Sequence, residues 1–279
     1  MSTVPLPNFF VAVMHVNQEP WLSIVRDGQS QFWERESYRK FEVVYFHSVF
    51  NKFYSTVNRK IEHFRWERGS KASYFISYAL MVSLIPWRNS VPKFRKSFAK
   101  ESGVKSNSIL VEFPEMISTI RWKKIAILKH YLESSQAEFL IITNSSSVLN
   151  LHPIVDFVSK HGKSDSSFYA GPIHTGYDGK FVSGSFTIMN RRAAESLFKE
   201  RKLIPLHVMD DIGFGTAFNK LGIIPVNYDS ILISSKEELE KFTDHEIKAA
   251  GHFRLKSGTL EKRNDVELAA RLLKRMEMI

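Results

Sequence analysis

Short apolar runs alternate along this chain with stretches of helical periodicity, and that alternation limits the fold more than any other feature. Phe9–Val16, Phe41–Phe46 (FEVVYF), Ser108–Phe113 (SILVEF) and Phe139–Thr143 (FLIIT) are too short for helices and almost continuously apolar. Such runs belong to strands covered on both faces. Phe168–Pro172, Phe181–Asn190 and Ile223–Tyr228 read as further strands. Between them, helices are expected at Gln29–Tyr38, Asn51–Trp66, along the stripe Ile117, Ile120, Ile125, Leu128, Tyr131, Leu132, and at Pro153–Lys160. Arg191–Glu200, Met209–Leu221 and Lys236–Ala249 follow, and Val266–Met276 closes the chain as an exposed helix.

Strands alternating with helices predict an α/β fold: a twisted, mixed but mostly parallel sheet flanked by helices. With no internal repeat or composition break, residues 1–279 read as one domain. In such sheets ligands bind beyond the carboxyl ends of the strands. That rule points at His15–Asn17, Asn144–Ser147 and the Gly171–Gly184 region.

Composition removes several chemistries. The chain has no cysteine, so disulfides, thiolate metal sites and cysteine nucleophiles are excluded. The P-loop pattern, GxGxxG after a strand, GxSxG and HExxH are also absent, and the ten histidines show no metal-ligand spacing. The net charge of +10 suits a phosphorylated or otherwise anionic partner. The basic residues are scattered, so a nucleic-acid-binding role rests on charge alone. The apolar stretch Tyr74–Trp87 falls short of the ~20 residues a spanning helix needs. A cytoplasmic protein, at most peripheral to a membrane, is the expectation.

Three segments, in order, resemble the β-1,3-galactosyltransferase/Fringe group of glycosyltransferases. Ile117–Ser147 resembles that group's helix with a Lys-Thr pair followed by a strand ending in Asp-Asp-Asp; Lys123 and Lys124 fall on the pair, Asn144–Ser147 on the acidic turn. Phe181–Leu197 is similar to its small-Gly-Gly strand and following helix, with Gly184 in the glycine region. Asp210–Phe218 (DDIGFGTAF) is similar to its acidic-Asp-Val-x-x-Gly signature, placing Asp210, Asp211 and Gly215.

The resemblance implies a GT-A type fold that takes a nucleotide-sugar, a UDP-sugar by analogy, and passes the sugar with inversion to a hydroxyl of a glycan or lipid-linked acceptor. Asp211 would be the base, with Asp210 beside it. A carboxylate in reach of the hydroxyl gives its proton somewhere to go. The same Asp pair also suits a helix start with no chemistry attached.

The chain departs from the group at the turn, where Asn144-Ser145-Ser146-Ser147 carries no charge. Neutral oxygens are poor ligands for hard divalent ions. Either fixed cations replace a metal, or the protein binds a sugar or nucleotide without catalysis. The candidate cations are Lys123 and the segment His252–Lys256 (HFRLK), with His252, Arg254 and Lys256. On a strand Arg254 and Lys256 would share a face. His15 and Asn17, ending the first strand, are candidates for the nucleoside, and Trp21, Trp33, Trp66, Trp87 and Trp122 for a stacking surface.

Overall fold

The structure, a computed structural model, describes residues 7–33, 41–49, 91–97, 107–115, 119–162, 165–176, 179–205, 208–258 and 263–277, with isolated helical positions at 56 and 60. The helix expected at Asn51–Trp66 and the apolar stretch Tyr74–Trp87 lie outside these residues, apart from those two positions. Among the described residues no helix is long and apolar enough to cross a membrane.

A mixed sheet of eight strands forms the centre. In chain order these are β1 (Phe9–Met14), β2 (Glu42–Val49), β3 (Phe94–Ser97), β4 (Ser108–Pro114), β5 (Phe139–Asn144), β7 (Tyr169–Gly171), β10 (Phe186–Asn190) and β11 (Val226–Asn227). Their order across the sheet is β11-β7-β10-β5-β1-β2-β4-β3. The central strands β5, β1, β2 and β4 run parallel, while β10 and β3 run antiparallel to their neighbours.

The apolar runs are apolar because both faces are covered. Along β1, Phe9, Val11 and Val13 enter one core, and Phe10, Ala12 and Met14 the other. β5 divides the same way, with Phe139 and Ile141 against Leu140 and Ile142. On one face lie α3 (Ile120–Ser134), α5 (Arg191–Lys199) and α6 (Asp210–Lys220). On the other lie α4 (Leu151–His161) and α9 (Asp265–Glu277), with a small sheet. That sheet is ordered β12-β13-β6, from β6 (Ser147–Leu149), β12 (Ile231–Ile233) and β13 (His252–Leu255).

Four expected elements are revised. Phe181–Asn190 is two strands: β9 (Gly179–Val182), paired with β8 (Ile173–Gly176), then β10 after a turn at 183–185. Lys236–Ala249 is two helices, α7 (Lys236–Glu240) and α8 (Asp244–Ala249), because Thr243 starts a new one with a capping box to Glu246. The closing helix is not an exposed one, since Leu268, Ala269, Leu272 and Leu273 are buried. Near the start, α1 (Trp21–Ser23), a π turn (Ile24–Gln29) and α2 (Ser30–Trp33) begin earlier than the expected Gln29.

Candidate active site

A cleft of about 330 Å³ opens at the carboxyl ends of β1, β4 and β5. His15 and Val16 leave β1 there, Glu115 follows β4, and Asn144–Ser146 leave β5. Because β10 runs the other way, it begins at this edge, and Ser183–Ser185 join the lining. α6 brings Asp210 and Asp211, β13 brings Arg254, and Trp21 stands at the lip. Segments far apart in sequence thus meet where an α/β sheet places its ligand.

α6 carries its two acids in the first turn, where the helix dipole favours negative charge. They differ in partner. Asp210 forms a 2.5 Å ion pair with Lys124, whose side chain is 2% exposed. Asp211 has no cationic partner among the described residues. Its Oδ2 accepts from the Gly184 backbone N–H at 3.2 Å, and its Oδ1 from that of Ile212 at 2.9 Å. The remaining lone pairs are free for a ligand, and Asp211 lines the cleft. Gly184 therefore touches the acid through its amide. Gly215 serves packing instead. A Cβ there would sit 2.3 Å from the Phe181 Cβ, so the glycine lets α6 lie directly on β9.

Lys123 also lines the cleft, but its charge is already matched. Its Nζ lies 2.6 and 2.8 Å from the Glu115 carboxylate and donates to the His15 carbonyl at 3.0 Å. Both side chains are buried. Arg254 is different: half-buried, in the cleft, and in no ion pair among the described residues, with Asp265 acting on it only from beyond ion-pair distance. Burial first and the neighbouring Arg263 second pull its pKa down from the usual guanidinium value, against a smaller upward pull from Asp265. An unmatched, partly desolvated guanidinium is a strong anion site, able to grip a phosphate by two parallel bonds.

Arg263 was not expected. It pairs with the buried Asp265, donates to Ser146 Oγ at 3.1 Å and to the Leu255 carbonyl at 2.8 Å, and lies 5.0 Å above the Trp21 ring. Its segment carries no sequence motif that would have revealed it. Glu115 could have been found, since it follows a strand's carboxyl end.

The other candidates fall elsewhere. His252 is fully buried, stacked on Phe186 and sharing hydrogen bonds with Ser147 and Ser230. Burial lowers its pKa to about 3, so it is neutral and does not face the cleft. Lys256 lies just beyond β13, exposed and outside the cleft lining, so the expected shared face with Arg254 is not realised there. Asn17 also lies outside the lining, and Trp122 is buried in the core. Trp66 and Trp87 lie outside the described residues, as does the side chain of Trp33. His15 lines the cleft with both ring nitrogens buried and without hydrogen-bond partners. Burial, His47 and Lys123 push its pKa well below the ordinary value, so it too is neutral.

A divalent ion at the turn does not fit these residues. Asn144 Oδ1 accepts from the Ser146 N–H and from Ser147 Oγ, each at 3.1 Å. Ser146 Oγ accepts from the cationic Arg263. Gln29 Nε2 donates to the carbonyls of Asn144 and Ser147 at 3.0 and 2.8 Å. Of the cleft carboxylates, Glu115 and Asp210 are held by lysines. Asp211 alone among them is without a cation among the described residues, and one carboxylate falls short of the several oxygen ligands a hard cation takes.

No family description matches the sequence, and no curated protein matches it. A solved structure, a glycosyltransferase involved in the glycosylation of the major capsid of PBCV-1, is similar in backbone course. It covers 98% of this chain and 100% of its own, at a TM-score of 0.47 and 8% identity.

Proposed function

We propose that this chain is a nucleotide-sugar-dependent glycosyltransferase that stabilises its leaving diphosphate with Arg254 in place of a metal. The observation that carries the reading is one cleft holding a carboxylate, Asp211, and a guanidinium, Arg254, neither of which is in an ion pair among the described residues. The donor is a UDP-sugar by analogy with the resembling group, and the acceptor a hydroxyl of a glycan or lipid-linked saccharide.

In the reaction, the acceptor oxygen attacks the anomeric carbon and its proton passes to Asp211. The bond from that carbon to the diphosphate oxygen breaks, and its electron pair leaves with the diphosphate. In-line attack inverts the anomeric centre. Arg254 offsets the charge that builds on the leaving group, in a site where water is partly excluded. Asp210, held by Lys124, fixes the first turn of α6 and thereby the position of Asp211. Lys123 and Glu115 form a neutral pair in the cleft.

Calorimetric titration with a panel of nucleotide-sugars, in Mn²⁺ and in excess EDTA, tests the reading. A UDP-sugar is expected to bind equally well in both. The Asp211→Asn variant should keep that affinity and lose roughly 10²- to 10⁴-fold in transfer rate, the usual contribution of a general base. Binding with no transfer by the unaltered protein would favour a carbohydrate- or nucleotide-binding module instead. No binding of any nucleotide-sugar would remove the donor assignment.

A further inference from the structure

A second cavity, about 580 Å³, runs along the outer side of α4 and is closed by the end of α8 and by Met276 of α9. Its lining is chemically mixed. Phe157, half-buried, has the His161 ring 4.8 Å away and meets the edge of Tyr228 at 4.6 Å. Around this aromatic patch stand Lys160 and Lys248, both exposed and neither paired with a carboxylate among the described residues. His152 adds a further basic group, against one acid, Asp156.

We propose that this groove binds an acidic oligosaccharide, one bearing carboxylate or phosphate groups. The apolar C–H face of a sugar ring suits the Phe157 and His161 rings, as few large rigid groups offer so much contact. The two unpaired lysines complement the anionic substituents. Asp156 and Asn150 supply acceptors and donors for hydroxyls, polar groups of the kind that orient a ligand. The groove also lies near the cleft. Asn150 follows Ser146 by four residues, so even a fully extended chain separates them by roughly 14 Å. One extended acceptor chain is thus in reach of both sites. Only that last link rests on the transferase reading; the groove's own binding does not.

The test is calorimetry on the full chain with an oligogalacturonate hexasaccharide, neutral maltohexaose, and a single-stranded oligonucleotide of equal charge. The acidic hexasaccharide should bind best, more weakly as salt rises. The Lys160→Glu/Lys248→Glu variant should lose roughly tenfold or more in that affinity. Both positions are exposed, so folding is retained and nucleotide-sugar affinity in the cleft should not change. Equal affinity in wild type and variant overturns the proposal, as does maltohexaose or the oligonucleotide binding as well as the acidic sugar. Acidic-sugar binding alongside a failed nucleotide-sugar titration keeps the groove and removes only the donor site.

Discussion

Lys123 and Lys124 are neighbours on α3, while Arg254 sits on β13, and both regions border one cleft. Each lysine is buried against its own carboxylate, Glu115 and Asp210. Arg254 is in no ion pair among the described residues, and Asp265, the carboxylate that acts on it, is held by Arg263. Counting basic residues therefore says little about the charge a site can offer. Pairing decides it: the lysines hold the walls of the cleft in place, and the arginine outside any ion pair is the one proposed to meet an anion. The same division separates Asp210 from Asp211.

The sharpest way to break this contrast is on the lysine side. Glu115→Gln removes the carboxylate from Lys123 and leaves a buried ammonium unpaired. The expected loss of stability is about 3–5 kcal/mol, the usual cost of halving a buried pair, read from urea unfolding midpoints. A loss within about 0.5 kcal/mol, typical of a surface position, would show that Lys123 is not held as described and restore it as an anion site.

On the arginine side, Arg254→Gln should lower the transfer rate by roughly 10²- to 10³-fold, the effect of removing one preorganised stabilising donor. Lys256→Gln, on the exposed position two residues on, should change it little. Steady-state rates of the two variants settle which cation of the segment acts; equal losses would return Lys256 to the site.

A third side chain on β13, His252, is buried and neutral, with its pKa lowered to about 3. The sign follows from that depression. The unfolded chain takes up a proton near pH 6.5 and the folded one does not, so the contribution is complete above pH 6.5 and falls as pH drops toward 3. Between pH 7 and pH 5 this residue alone should remove about 2 kcal/mol of stability. A His252→Gln variant should show a flatter profile in denaturant melts at the two pH values. An unchanged slope would mean that this histidine can charge in place.

The central strands were legible because burial on both faces leaves a mark in sequence: FFVAVM and FLIIT admit little else. The short strands β3, β6, β8 and β12 left no such mark, since three or four residues carry no period. Asp211, Arg254 and the turn at Asn144–Ser146 were readable as candidates, by strand-end position and family likeness. What they pair with was not. Glu115 precedes Lys123 by eight residues, and Asp210 follows Lys124 by far more, so both ion pairs arise only when the sheet brings its edge together. His252 was readable as a candidate cation of its segment, yet the stack on Phe186 that withdraws it from the cleft is a tertiary event.

The backbone register of β13 has a consequence for synthesis. Arg254 is locked opposite Ser147 in an antiparallel pair, and the Leu255 N–H donates to the Ser146 carbonyl at 2.8 Å. Arg254 thus arrives on a strand made more than a hundred residues after the turn it pairs with. Contacts that close so long a loop form slowly. A ribosome-bound chain lacking its last segment would hold the acids of α6 and the neutral turn without the guanidinium. The central sheet can assemble during translation, but the cleft is complete only after β13 and α9 have emerged and docked.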